Sequence, residues 1–124
     1  MQEPSISREK KEEKIEMKNF YWVKLIFFSD SIRKTPPCLK PDAEGRYSPY
    51  LVVKNDDEYL GVTFINGDES VFDKEIDAMA VSLYEGVGYY KLVKGSEFMI
   101  MEGSHIVGEG IVAAVHKGNV DSSV

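Results

Sequence analysis

The sequence predicts an all-β barrel of six strands. From Phe20 onward, short β-branched and aromatic runs alternate with clusters of Gly, Pro, Asn and Asp, which is the texture of strands and turns. No stretch makes a convincing helix. A chain of 124 residues with 43% hydrophobic content suits one core. Six strands with uneven loops between them favour a barrel over other all-β arrangements.

The run at 20–28 predicts a long first strand, buried on at least one face. Residues 29–48 hold Thr35-Pro36-Pro37, Pro41-Asp42 and Glu44-Gly45-Arg46, a density of breakers that predicts a long loop, either functional or mobile. Second and third strands follow at 49–54 and 58–65, separated by the acidic turn Asn55-Asp56-Asp57. Asn66-Gly67 is a tight-turn signal that should end the third. The alternation of Met79, Val81 and Leu83 makes 76–83 a fourth strand. The last two are expected at 97–102 and 105–115, with Gly103-Ser104 in a hairpin position. Gly108 and Gly110 share a face of the final strand and leave it bare, which suits a barrel corner or a close backbone approach. Trp22, Phe27, Phe28, Phe64, Phe98, Ile100, Ile106 and Val112 are the expected core.

Residues 1–19 carry ten charges, five of each sign, and no aromatic residue, so a disordered or frayed tail is expected there. Residues 118–124 are small and polar and read as a flexible C-terminus, leaving 20–117 as the barrel domain. Without the tail, 10 basic residues face 16 acidic ones, so the net charge of −6 belongs to the rest of the chain. No apolar run approaches the roughly 18 residues of a membrane span, and no apolar signal core follows the N-terminal charges. The expected location is the cytoplasm, without a membrane partner.

Chemistry is sparse. Cys38 has no second cysteine to pair with, and one cysteine with two histidines is too few for a closed structural zinc site. His105 and His116 lie about 35 Å apart along one strand. Neither has a nearby nucleophile with an orienting carboxylate. Lys34 and Lys40 flank Cys38 and would favour its thiolate, although an inert exposed thiol is the plainer expectation. No catalytic residue, cofactor or metal ligand is assigned.

Eight carboxylates fall within 22 residues, at a spacing that fits no twelve-residue calcium loop. Among them Asp56, Asp57, Glu58, Asp68 and Glu69 are candidates for a docking face that meets a basic protein partner. Arg33, Lys34, Arg46, Tyr47, Tyr50 and Lys54 form the one basic-aromatic grouping, which would touch phosphate and stack a base if RNA binds. The alternative is that the tyrosines help close the barrel while the charges stay solvated. Tyr84, Tyr89 and Tyr90 surround 85–88, which suits an interaction loop better than a phosphate cradle.

The terminal pattern Gly95-x-x-Phe98-x-Ile100-x-Glu102-Gly103-x-x-x-Val107-Gly108-x-Gly110-Ile111-Val112 resembles the end of the C-terminal barrel, the third domain, of bacterial and organellar elongation factor Tu. Upstream, Arg33-Lys34-Thr35-Pro36 looks like that family's Gly-Gly-Arg-x-Thr-Pro loop without its glycines. Tyr47-Ser48-Pro49-Tyr50 is similar to its Tyr-Arg-Pro-x segment. The resemblance implies a closed six-stranded antiparallel Greek-key barrel over about 21–115, in a family whose barrel contacts the tRNA T stem and the nucleotide-exchange factor. It does not imply GTP hydrolysis, since no Gly-x-x-x-x-Gly-Lys-Ser/Thr loop is present to cradle a nucleotide. Ser48 and His105 stand where the family usually has basic residues. The expectation is a stand-alone, non-catalytic binding module. Its first role is protein interaction through an acidic face, and its alternative is translation-related tRNA or RNA binding. A barrel of this kind without a GTPase domain would also expose an apolar patch, which makes self-association a further expectation.

Overall fold

The structure, a computed structural model, describes residues 16–41, 45–84 and 88–120. The first strand, β1 (Glu16–Phe27), sets the pattern for the rest. Tyr21, Val23, Leu25 and Phe27 point inward and are buried, while Trp22 and Lys24 point out. The other strands are β2 (Tyr50–Val53), β3 (Leu60–Gly67), β4 (Ile76–Ser82), β5 (Glu97–Glu102) and β6 (His105–Val120). All neighbours pair antiparallel in the spatial order β1-β4-β3-β2-β5-β6, and β6 pairs with β1 to close the barrel. β2, β3 and β4 form a meander, and β1 lies beside β4, which is a Greek key. The fold is therefore the closed six-stranded antiparallel β-barrel that the sequence predicts. Register shifts at Ile65, Val107 and Ala113 mark the bulges that bend the strands around it.

The core consists of one inward-facing residue from each pleat, including Leu51, Leu60, Val62, Phe64, Ala80, Phe98, Ile100, Val107 and Val112. Gly110 is needed where β6 crosses β1. A Cβ there would stand 2.6 Å from the Lys24 carbonyl oxygen and 2.7 Å from the Phe98 ring. Two expected core residues are corrected. Trp22 and Ile106 are 48% and 45% exposed, because each alternates with an inward neighbour, Tyr21 or Val23 in one case and Val107 in the other. Phe28, just past the end of β1, is half-buried.

Each barrel end has its own plug. At one end the irregular segment 28–49 sends Leu39 into the core, while the Tyr47 ring stacks on Phe64 and meets Phe27 edge-on, with both centroid distances 5.8 Å. Asn66-Gly67 does not turn the chain as expected. Ile65 bulges, and the two residues continue the β3 ladder opposite Met79 and Ala78. A Cβ on Gly67 would lie 2.8 Å from that of Leu39, so the glycine makes room for the plug. The opposite end is closed by a 3₁₀ turn at Gly88–Lys91, with Tyr89 and Leu92 buried. The Tyr89 hydroxyl donates to the Gly61 carbonyl.

Pairing runs further than the predicted strands. Residues 16–19 pair with 117–120 as a two-stranded ribbon, beyond the last β1–β4 pair at Phe20 and Val81. The remainder of the two expected flexible ends, 1–15 and 121–124, and the loop residues 85–87 lie outside the described residues.

Candidate functional site

Of the candidate nucleic-acid residues, Arg33 and Tyr47 come together and Lys54 stands apart. At the end closed by Leu39, the Arg33 guanidinium donates to Glu102 Oε2 at 2.5 Å and to the Thr35 carbonyl at 2.9 Å, and its centre lies 5.4 Å from the centroid of the Tyr47 ring. The Tyr47 hydroxyl donates to the same Glu102 oxygen at 2.6 Å. Burial, reinforced by that carboxylate, pushes the phenol far above its ordinary pKa and keeps it a neutral donor. Arg46 donates to the Ile65 carbonyl at 3.1 Å. Lys34 is exposed with no side-chain partner among the described residues. Lys54 stands at the opposite end of the barrel, paired with Glu97 at 3.0 Å, and Tyr50 lies on the outer wall. Two of the four cations are thus neutralised by carboxylates, and a third is bound to a carbonyl.

The candidate acidic face is also divided. Asp56 and Glu58 clasp the Lys91 ammonium at 2.9 and 2.8 Å, at the end closed by the 3₁₀ turn. Glu58 also accepts the Gly88 N–H at 3.1 Å, and Asp56 accepts the N–H groups of Asp57 and Glu58. Hydrogen bonding to Lys91 leads the causes that hold both carboxyls below their ordinary pKa values. Asp68 accepts the Asp77 N–H at 3.0 Å. It lies at the other end of β3, about 30 Å of strand rise from Glu58. Glu69 is exposed there beside the segment 36–40, and Asp57 is the exposed carboxylate of the first group. Two of the five candidates therefore serve to fix a connection rather than to present charge.

What the barrel does present is an aromatic outer wall that residue-type reasoning missed. Trp22 lies opposite Met79, and Phe20 lies opposite Val81, which in turn pairs with Thr63 on β3. Gly61, two residues before Thr63 on the same face, pairs with Tyr50. The Tyr84 ring covers Gly61 so closely that a Cβ would stand 2.9 Å from its Cε2. Tyr50 meets Tyr59 edge-on at 5.5 Å between centroids. The wall thus runs without a break from β1 across β4 and β3 to β2. Trp22, Tyr59 and Tyr84 are 48%, 44% and 56% exposed. At the Trp22 margin, Lys24 pairs with Asp77 at 2.8 Å. Both phases of 20–28 are apolar, so only the pairing of β1 with β4 and β6 shows that Phe20 and Trp22 face outward.

Cys38, His105 and His116 are all exposed, and the two histidines stand eleven residues apart on β6. Among the described residues, no three His, Cys, Asp or Glu side chains converge as metal ligands do. A shallow depression of about 210 Å³ on the opposite face, over β1, β6 and β5, is lined by Lys24, Lys54, Glu75, Glu97 and Glu109, where charges of both signs alternate. No family model matches the chain, and no curated protein matches it.

Proposed function

We propose that this barrel is a non-catalytic binding module that docks a protein partner on its aromatic outer wall. One observation carries the reading. From Trp22 to Tyr59 the wall is contiguous and rich in Trp and Tyr, and its charges stand at the margins, with Lys24, Asp68 and Asp77 beside Trp22 and the Lys18 ammonium on the Leu83 carbonyl. Interface centres are enriched in Trp and Tyr, and contiguous exposed apolar patches mark interaction sites. The likeness to the elongation factor Tu barrel supports a binding role in general. The protein partner is favoured over RNA because Arg33 and Lys54 are paired with carboxylates and the two stand at opposite ends of the molecule.

Trp22→Ala and Tyr59→Ala remove half-exposed rings, so folding stability should fall by no more than about 1 kcal/mol. Retention of a specific lysate protein by the immobilised wild type should weaken at least about tenfold for each variant, as expected of interface anchors. Equal retention by wild type and both variants rejects the wall as the docking face. An amide NMR titration with total tRNA should leave residues 33–54 unmoved even at low salt. Salt-sensitive shifts there would favour the RNA reading instead.

A further inference from the structure

We propose that the outer edge of β6, over 113–118, is a strand-addition site for an extended peptide that carries an apolar and an acidic residue two positions apart, matching Val115 and Lys117 on one face of the strand. The direction of the backbone groups follows from the ladder. The Asn19 N–H donates to Ser82 Oγ at 3.2 Å, on the β4 side of β1, so the odd residues of this stretch aim their N–H and C=O groups away from β6. Antiparallel partners share that alternation. Val115, opposite Tyr21, and Lys117, opposite Asn19, therefore aim their own N–H and C=O groups away from β1.

On that far side β5 has already ended. Its first residue, Glu97, pairs with Ile111, and the last backbone bonds are Val112 N–H to the Ser96 carbonyl at 2.9 Å and Gly95 N–H to the Val112 carbonyl at 2.8 Å. Gly95, at φ +94°, then turns the chain back, and Ser96 N–H closes the turn on the Val93 carbonyl. Past Val112 the edge meets no backbone partner among the described residues. Two donors and two acceptors are left at the two-residue spacing that an extended chain matches.

The surroundings choose the occupant. Val93, Ala113 and Val115 are exposed beside the edge and suit apolar side chains. Lys94 and Lys117 are exposed and have no carboxylate partner among the described residues, so they suit carboxylates. A second copy fits less well. Two-fold pairing would centre on His116, set imidazole against imidazole, and join two chains of net charge −6 along a seam far smaller than a stable interface requires.

The test uses the full ¹⁵N-labelled chain and a short synthetic peptide in which Val and Glu take turns at every second position with Thr between them, so that both lie on one face. The expected result is that amide exchange at Val115 and Lys117 slows at least about tenfold on binding. Exchange at Ala114 and His116, whose groups face β1, stays unchanged. Lys117→Glu should weaken the peptide at least about fivefold, and a control peptide with Pro at every second position should not bind. Absence of protection at millimolar peptide, or equal binding of the Pro control, overturns the proposal. Protection that rises with protein concentration without peptide overturns it in favour of a second copy.

Discussion

Gly110 shows how a single missing side chain fixes the packing of three strands. β6 approaches β1 until the Lys24 carbonyl and the Phe98 ring occupy the space a methyl group would need. Neither the β1 backbone nor a ring buried in the core can retreat without opening the barrel, so Gly110→Ala should cost about 1–3 kcal/mol in chemical denaturation. Gly118→Ala is the control. Its methyl would meet side chains alone, the edge of the half-buried Phe20 ring at 3.2 Å and the His116 ring at 3.8 Å, and the change should stay within about 0.5 kcal/mol. Equal losses for the two variants would show that backbone entropy, rather than the close approach, sets the cost. The bare face of Gly108 and Gly110 was legible because glycines two apart in a strand need a reason. The phase of Trp22 was not. In a run apolar at nearly every position, both faces satisfy the hydrophobic pattern, and only the pairing with β4 and β6 decides which one is buried.

The connection between β4 and β5 is anchored by the burial of Tyr89 and Leu92 and is fixed further by charge. Lys91, on the 3₁₀ turn, is gripped by Asp56 and Glu58 from the β2–β3 turn, and the Gly88 N–H adds a further bond to Glu58. The two carboxyls are held below their ordinary values of 3.8 and 4.5. Folding lowers these pKa values, so their stabilisation is complete above the ordinary values and is lost as pH falls through the depressed ones. Lys91 is raised by the same contacts, so on the alkaline side they hold through its ordinary 10.5 and are lost only in strong alkali. Acid should therefore release the turn while neutral pH leaves it closed. The Gly88 amide resonance should move, and its protection relative to the intrinsic exchange rate should fall, as pH drops below about 4 toward about 2, and Lys91→Met should remove most of that response. An unmoved Gly88 amide across the range would mean that Tyr89 and Leu92 hold the turn unaided. The strands were legible from local runs, but this clasp was not, because Glu58 and Lys91 are linked only by the closing of the barrel. The ribbon of 16–19 with 117–120 escaped for a related reason. Its residues are mostly charged or polar, and each strand is ordered there by the other rather than by a core face.

The molecule closes by joining its first strand to its last. Glu16 pairs with Val120, and the β1–β6 seam is the longest ladder in the barrel, yet its partners are the most distant in sequence. β1 also reaches β2 only through the long segment 28–49, while β2, β3 and β4 follow one another as neighbours. Loop-closure entropy must be met before such a seam contributes, so closure should limit the folding rate. A circular permutant tests this directly. Fusing Val124 to Met1 and opening the chain at 42–44 would give the order β2-β3-β4-β5-β6-β1 and make the seam a local pairing. The cut falls between Leu39 and Tyr47, each of which keeps its own anchorage in the core. The permutant should retain the amide spectrum of the barrel and stay within about 2 kcal/mol of the parent in stability, because one long loop is exchanged for another. Its refolding should be faster by about tenfold or more, because the mean sequence separation of contacting residues falls. A folded permutant with unchanged or slower refolding would move the rate-limiting step from the seam to the Greek-key crossing of β1 onto β4.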